Sequence, residues 1–169
     1  FRAAGAEVED CDAVDGFDDA LDAHWTILSF EFARVLSYER TAHREGLSPA
    51  LLNLLDGGMK IGLQDYRAAL AVAESCRLQA GRIFDRYDIL LTPGAAGEAP
   101  SDPRTPTDLL FQRLWTVLRL PVITLPGFTG PSGLPVGIQL VGAPMGDGAL
   151  LGAALWAEAA MREALAKAT

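Results

Sequence analysis

The sequence predicts an α/β fold in which a helical segment precedes part of a mixed β-sheet that is flanked by helices. Over most of residues 1–86, apolar residues recur every three or four positions, which is typical of amphipathic helices. Short apolar runs follow, each bounded by proline or glycine, as strands commonly are. Helices first and strands wrapped by helices afterwards indicate an α/β or α+β arrangement.

Length, composition and charge exclude several classes of protein. The chain has 169 residues, half of them hydrophobic, so it has the length of one domain and enough apolar side chains for a core. Its apolar stretches are far shorter than the roughly 20 residues that cross a bilayer, and its two cysteines have no metal-binding or redox spacing. The net charge of −8 disfavours contact with phosphate backbones. We expect a cytoplasmic protein with reduced thiols, no metal or cofactor, and neither nucleic acid nor membrane as a partner.

The first residues predict the end of a helix and then a strand. Residues 1–4 read as a last helical turn that Gly5 ends, and residues 6–9 alternate apolar with acidic side chains, as a short strand does. A chain that begins inside a helix is expected to be a piece of a longer polypeptide. The acidic run over residues 7–22 lacks the closing glutamate of a calcium loop, so we interpret it as a solvated loop and helix start.

Three helices are predicted next. The first runs from about Asp18 to near Gly46, a second begins at Ser48 and Pro49 and stops at the glycine pair 57–58, and a third covers roughly residues 65–86. The apolar face predicted for the first consists of Leu21, Trp25, Leu28, Phe32 and Val35. The face predicted for the third consists of Tyr66, Ala69, Ala73, Cys76, Ala80 and Ile83.

The remainder reads as strand, helix, hairpin and helix. Residues 88–92 form a strand that Pro93 and Gly94 end, and a long loop leads to a helix that Thr107 can cap. Residues 122–125 and 136–141 then flank a turn rich in glycine and proline. These glycines do not predict a phosphate-binding loop, because a strand and not a helix follows them. Asp147 caps a last helix, whose predicted apolar face contains Leu151, Ala154, Leu155, Met161 and Leu165.

Catalytic pairs are missing from the sequence pattern. No Gly-x-Ser-x-Gly stretch is present, and His24 and His43 are nineteen residues apart in one predicted helix, where surface or packing roles suffice. Lys60 and Lys167 are the only lysines, and neither has the serine- and glycine-rich surroundings of a lysine that activates a serine.

Four stretches in fixed order resemble the carboxyl-terminal part of the amidase signature family. These are "YDILLTPGA", then "FQRLWTVLRLP", "VITLPGFTGP" and "SGLPVGIQLVG". The resemblance is strong over residues 87–160 and weaker over 1–86. Arg119 stands where the family commonly has glycine, and Thr116 where many members have asparagine.

The resemblance implies that residues 1–169 are the carboxyl-terminal portion of a single amidase-like domain, mainly helical over 1–86 and strand-helix-hairpin-helix over 87–169. It implies hydrolysis of carbon–nitrogen amide bonds by serine and lysine residues of an absent amino-terminal half, so no catalytic residue is assigned here. It also implies that Gly and Pro in the hairpin shape strand ends and permit close backbone approach.

Five residues are candidates for a wall of the substrate pocket. Ligands in open α/β sheets gather at the carboxyl ends of strands, so we predict contacts from Thr92, Pro93 and Gly94. Phe111 and Trp115, on the next helix, are further candidates, and core packing is the alternative for both. The expected partners are a small-molecule amide, the absent half and, further, a second copy of the chain. The alternatives for function are a non-catalytic binding or assembly module and part of an A-type amidotransferase polypeptide.

Overall fold

The computed structural model describes residues 1–11, 17–102, 105 and 109–168. The predicted cap Thr107 and part of the acidic run lie outside the described residues. The chain divides into two compact units, one of residues Asp15–Leu78 and the other of Phe1–Val14 with Gln79–Thr169. We call them the helical unit and the sheet unit.

The helical unit contains the helices that the sequence predicts, with one break. The helices are α1 (Phe17–Val35), α2 (Ser37–Ala42), α3 (Pro49–Gly58) and α4 (Leu63–Ile83), the last of which extends into the sheet unit. The single helix predicted up to Gly46 is wrong, because Leu36 leaves α-helical geometry at φ −95° and ψ 27°. The start of α3 is confirmed, since Ser48 Oγ accepts a hydrogen bond from the Leu51 N–H at 3.3 Å.

Helices α1 and α3 cross at a contact between small residues. A Cβ added to Gly58 would overlap the Ser29 carbonyl and lie 2.9 Å from Ala33 Cβ. The face of α1 that is buried consists of Ala20, Ala23, Ser29, Phe30 and Ala33. The predicted face of large apolar residues is therefore wrong, and Trp25 and Val35 are exposed. The face predicted for α4 is confirmed at Ala69, Ala73, Cys76 and Ala80.

The sheet unit is built on three antiparallel strands in the order β1–β3–β2. Its strands are β1 (Leu90–Pro93), β2 (Val122–Thr129) and β3 (Pro135–Val141), and its further helices are α5 (Leu110–Leu118) and α6 (Asp147–Ala168). The hairpin is confirmed as β2 and β3, but a mixed sheet is not found among these strands. Strand β3 runs back from its turn and pairs antiparallel with both neighbours, so no parallel pair arises.

The predicted strand over residues 6–9 is wrong. A strand needs a partner for its backbone groups, and here the Val8 carbonyl accepts hydrogen bonds from the Arg2 guanidinium at 2.6 and 3.1 Å. The Glu9 carboxylate pairs with Arg86 at 2.7 Å. The preceding turn is a short 3₁₀ helix, Arg2–Ala4, which Gly5 ends at φ 96° as predicted.

Helix α6 packs on the sheet with a small-residue face. The core of this unit consists of Leu125, Leu140, Leu150, Ala154 and Ala157. Leu155 of the predicted face is 70% exposed and Leu151 is 54% exposed. The face predicted for α6 is therefore wrong at these leucines and right at Ala154.

Candidate substrate-binding site

The carboxyl end of β1 is fixed against β3 by backbone pairing. Thr92 lies opposite Gln139 and Pro93 opposite Ile138. The Gly94 N–H continues the ladder by donating to the Gly137 carbonyl at 3.1 Å. The predicted residues 92–94 thus stand on a rigid strand end and not on a free loop.

Two glycines let three backbone segments meet at this point. A Cβ on Gly94 would lie 3.0 Å from the Gly137 carbonyl oxygen. A Cβ on Gly137 would lie 2.8 Å from Thr124 Cγ2 and 3.0 Å from the Leu125 carbonyl oxygen. The close backbone approach expected of the glycine-rich hairpin is confirmed at Gly137, since any side chain there would push the strands apart.

Gln112, which the sequence pattern did not single out, joins α5 to this strand end. Its Nε2 donates a hydrogen bond to the Gly94 carbonyl at 2.5 Å. That bond fixes the orientation of the side-chain amide, because the carbonyl is an acceptor and requires the nitrogen. Its Oε1 is buried and accepts no hydrogen bond from the residues that the structure describes. A signal existed in the sequence: Gln112 is a polar residue three positions before Trp115, on the same helix face.

Thr92 and Gln139 add polar groups on the sheet itself. Gln139 is 3% exposed, and the Thr92 hydroxyl donates to Gln139 Oε1 at 3.5 Å. Thr92 is half-buried and its hydroxyl can also accept. The strand end therefore combines a hydroxyl, a carbonyl and two carboxamide groups, a set suited to hydrogen bonding with a neutral polar group.

The aromatic candidates on α5 differ in exposure. Trp115 is 6% exposed, as the core-packing alternative requires, and Phe111 is half-buried. A substrate contact from either ring stays a prediction. Helix α5 ends just beyond them at Arg119, which adopts left-handed geometry with φ 57° and ψ 37°.

Two larger openings lie away from these residues, one in each unit. A cleft of about 680 Å³ in the helical unit is lined by α1 and α3 residues that include Trp25, Ser29 and Asn53. A groove of about 410 Å³ in the sheet unit is lined by apolar side chains that include Phe128 and Met161. Within the described ranges no group of three or more His, Cys, Asp or Glu residues could hold a metal ion. None of the described helices has the length and hydrophobicity to span a membrane.

Known proteins resemble this chain over most of its length. The family described as Amidase matches residues 1–151. The A-type polypeptide of the glutamyl-tRNA(Gln) amidotransferase of Lachnoclostridium phytofermentans is 30% identical over 91% of this chain and 39% of its own. The 2-amino-5-chloromuconic acid deaminase of Comamonas testosteroni is 28% identical over 68% of this chain and 27% of its own.

A solved structure supports the same assignment. A crystal structure of an amidase superposes with a TM-score of 0.73 at 26% identity, over 85% of this chain and 36% of that chain. The present chain thus spans about two-fifths or less of the length of these relatives. The chain belongs to the amidase family.

Proposed function

We propose that this chain is the carboxyl-terminal part of an amidase-type hydrolase that cleaves carbon–nitrogen bonds of linear amides. In this proposal it supplies sheet and a wall of the substrate pocket, while the serine and lysine groups belong to an amino-terminal half. The family match over residues 1–151 is the observation that carries the proposal. We place the protein in the cytoplasm.

The polar strand end is chemically suited to an amide ligand. A primary or secondary amide offers N–H donors and a carbonyl acceptor. Gln112 Oε1 is a buried acceptor that a substrate N–H can satisfy, and leaving it unsatisfied costs ~1–3 kcal/mol. The Thr92 hydroxyl can donate to the substrate carbonyl or accept from its N–H. These residues would bind and orient the amide but carry out no bond cleavage.

Both lysines are poorly placed to activate a nucleophile. Lys167 Nζ pairs with Glu163 at 2.7 Å on the exposed end of α6. Lys60 is exposed in the turn between α3 and α4. Since amide attack by serine needs a base that removes the hydroxyl proton, their placement supports serine and lysine machinery outside this chain.

Apolar surface in the sheet unit supports an amino-terminal half as a partner. Among the described residues, β1 and β2 each pair only with β3, so both have an open edge. The groove lined by Phe128 and Met161 adds exposed apolar area beside them. Open edges and apolar patches favour association, and in this proposal the amino-terminal half covers them. A second copy of the chain is the competing occupant.

An amidotransferase role is the second candidate, because a relative that matches 91% of this chain is an amidotransferase polypeptide that is named for glutamyl-tRNA(Gln). The net charge of −8 counts against direct contact of this chain with transfer RNA. A non-catalytic module with the same partial fold is the third. Transfer of nitrogen to a charged transfer RNA, measured beside simple amide hydrolysis, separates the first two.

The test is a reconstitution of activity. Aliphatic, aryl and amino-acid amides are assayed with the 169-residue chain alone and then with the amino-terminal part of an amidase supplied by co-expression. The proposal predicts background rates for the chain alone and turnover after reconstitution. Turnover by the chain alone that is abolished by Ser101→Ala or Ser132→Ala would contradict it, and no turnover in either case would favour the module.

A further inference from the structure

The turn between β2 and β3 presents several backbone N–H groups on one side. The Gly133 N–H donates to the Gly130 carbonyl at 3.0 Å, and the Gly130 N–H donates to the Leu134 carbonyl at 2.9 Å. Gly133 has a φ of 82°, which favours glycine. Successive N–H groups in such turns form a concave nest that attracts anions.

One side chain from the loop after β1 occupies this nest. Glu98 Oε1 accepts from the Ser132 N–H at 2.9 Å and from the Leu134 N–H at 3.0 Å. Its Oε2 accepts from the Ser132 N–H at 3.1 Å. Burial raises the pKa of Glu98, but hydrogen bonds from Ser132, Leu134 and Gly133 outweigh it and hold the pKa below its ordinary value. The carboxylate is therefore ionised at neutral pH.

Two further glycines accommodate Glu98. A Cβ on Gly130 would overlap the Glu98 side chain, so the turn must have a glycine there for the carboxylate to enter. Gly97, directly before Glu98, has a φ of 139°, a conformation that other residues rarely adopt. Both ends of the contact thus depend on backbone geometry that only glycine adopts easily.

We infer that Glu98 is a positioning residue for the candidate substrate site, an inference that rests on the proposed function. The segment 94–98 is anchored at its start by Gly94, which bonds Gly137 and Gln112, and four residues later by Glu98 in the turn. Holding both ends of so short a segment keeps the Gly94 carbonyl directed at Gln112. Through that bond Glu98 sets the direction of the acceptor Oε1.

The test compares Glu98→Ala and Glu98→Gln with Glu163→Gln, which neutralises an exposed carboxylate on α6, by NMR of the full 169-residue chain. Hydrogen exchange is measured at the Ser132 and Leu134 amides, together with the side-chain amide signals of Gln112. Charge-assisted hydrogen bonds predict exchange at least about tenfold faster in Glu98→Ala. The Gln112 signals should move toward those of a solvated carboxamide. Glu98→Gln should be intermediate because it keeps an acceptor oxygen, and Glu163→Gln should match the wild type.

An anion supplied from solution separates the nest from general destabilisation. Excess acetate should restore the Ser132 and Leu134 amide signals in Glu98→Ala, and chloride at equal ionic strength should not. Unchanged Gln112 signals in a folded Glu98→Ala protein would overturn the inference, because Glu98 would then act on its turn alone. In a reconstituted enzyme, Glu98→Gln should raise KM several-fold and leave kcat unchanged. Absence of turnover in the wild type would contradict the proposed function and leave the NMR result to decide the role of Glu98.

Discussion

Arg119 occupies a backbone conformation that glycine adopts more easily. Its φ of 57° ends α5 in left-handed geometry, with hydrogen bonds from the Arg119 N–H to the Thr116 carbonyl and from the Leu120 N–H to the Trp115 carbonyl. This is the arrangement in which a helix commonly ends at glycine. The departure from the family pattern at this position therefore has a local cost in backbone energy and leaves the fold unchanged.

We expect Arg119→Gly to stabilise the protein by about 1 kcal/mol, since a non-glycine residue costs roughly 1–2 kcal/mol in this region. Arg113→Gly, inside the same helix, should destabilise by about 1 kcal/mol because glycine weakens a helix interior. Urea unfolding measures both. Equal destabilisation by the two substitutions would refute this reading of the end of α5.

The two cysteines differ in environment, and neither takes part in a disulfide. Burial raises the pKa of the Cys76 thiol, and the nearby charge of Asp19 raises it further. Less of Cys76 is thiolate at a given pH, so it should react with a thiol reagent more slowly than the exposed Cys11 and should need a higher pH. Ellman's reagent should count two thiols in denaturant and show one fast and one slow phase in the folded chain. A count of zero, or a single fast phase, would contradict this.

Helix faces were the elements that the sequence predicted least well. Periodicity selects large apolar side chains, but α1 meets α3 through Ser29 and Ala33, because only small residues let helix backbones come this close. Trp25 consequently lines a cleft instead of a core. Strands and caps with their own local signals, such as Ser48 and the β2–β3 turn, were predicted correctly. Gln112 was missed since its role depends on a carbonyl eighteen residues away.

Adjacent glycines at the end of α3 test the helix contact. Gly58→Ala should destabilise by several kcal/mol, about 1–3 or more, because its Cβ would overlap the Ser29 backbone and force α1 and α3 apart. Gly57→Ala meets no atom within 4 Å and should be neutral or stabilising by up to about 1 kcal/mol. Thermal unfolding compares them. Similar midpoints for the two variants would show that the contact is not close.

At the scale of the whole molecule, the fold and the family are shown, whereas activity depends on more than these residues. The chain spans 39% of the amidotransferase relative and 36% of the solved amidase. Its sheet ends in two open strand edges within the described part, and both lysines lie at exposed positions. The central claim is therefore about location: the amide binds at the end of β1 and beside α5, in an enzyme completed by an amino-terminal half.

Photolabelling of the reconstituted enzyme tests that location most directly. An amide that carries a diazirine group is cross-linked in the presence and absence of excess unlabelled amide, and the labelled peptides are mapped by mass spectrometry. The account predicts competed labelling in peptides that contain Thr92–Gly94 and Phe111–Trp115. Competed labelling confined to other peptides, such as those lining the cleft at Trp25 and Asn53, would contradict it.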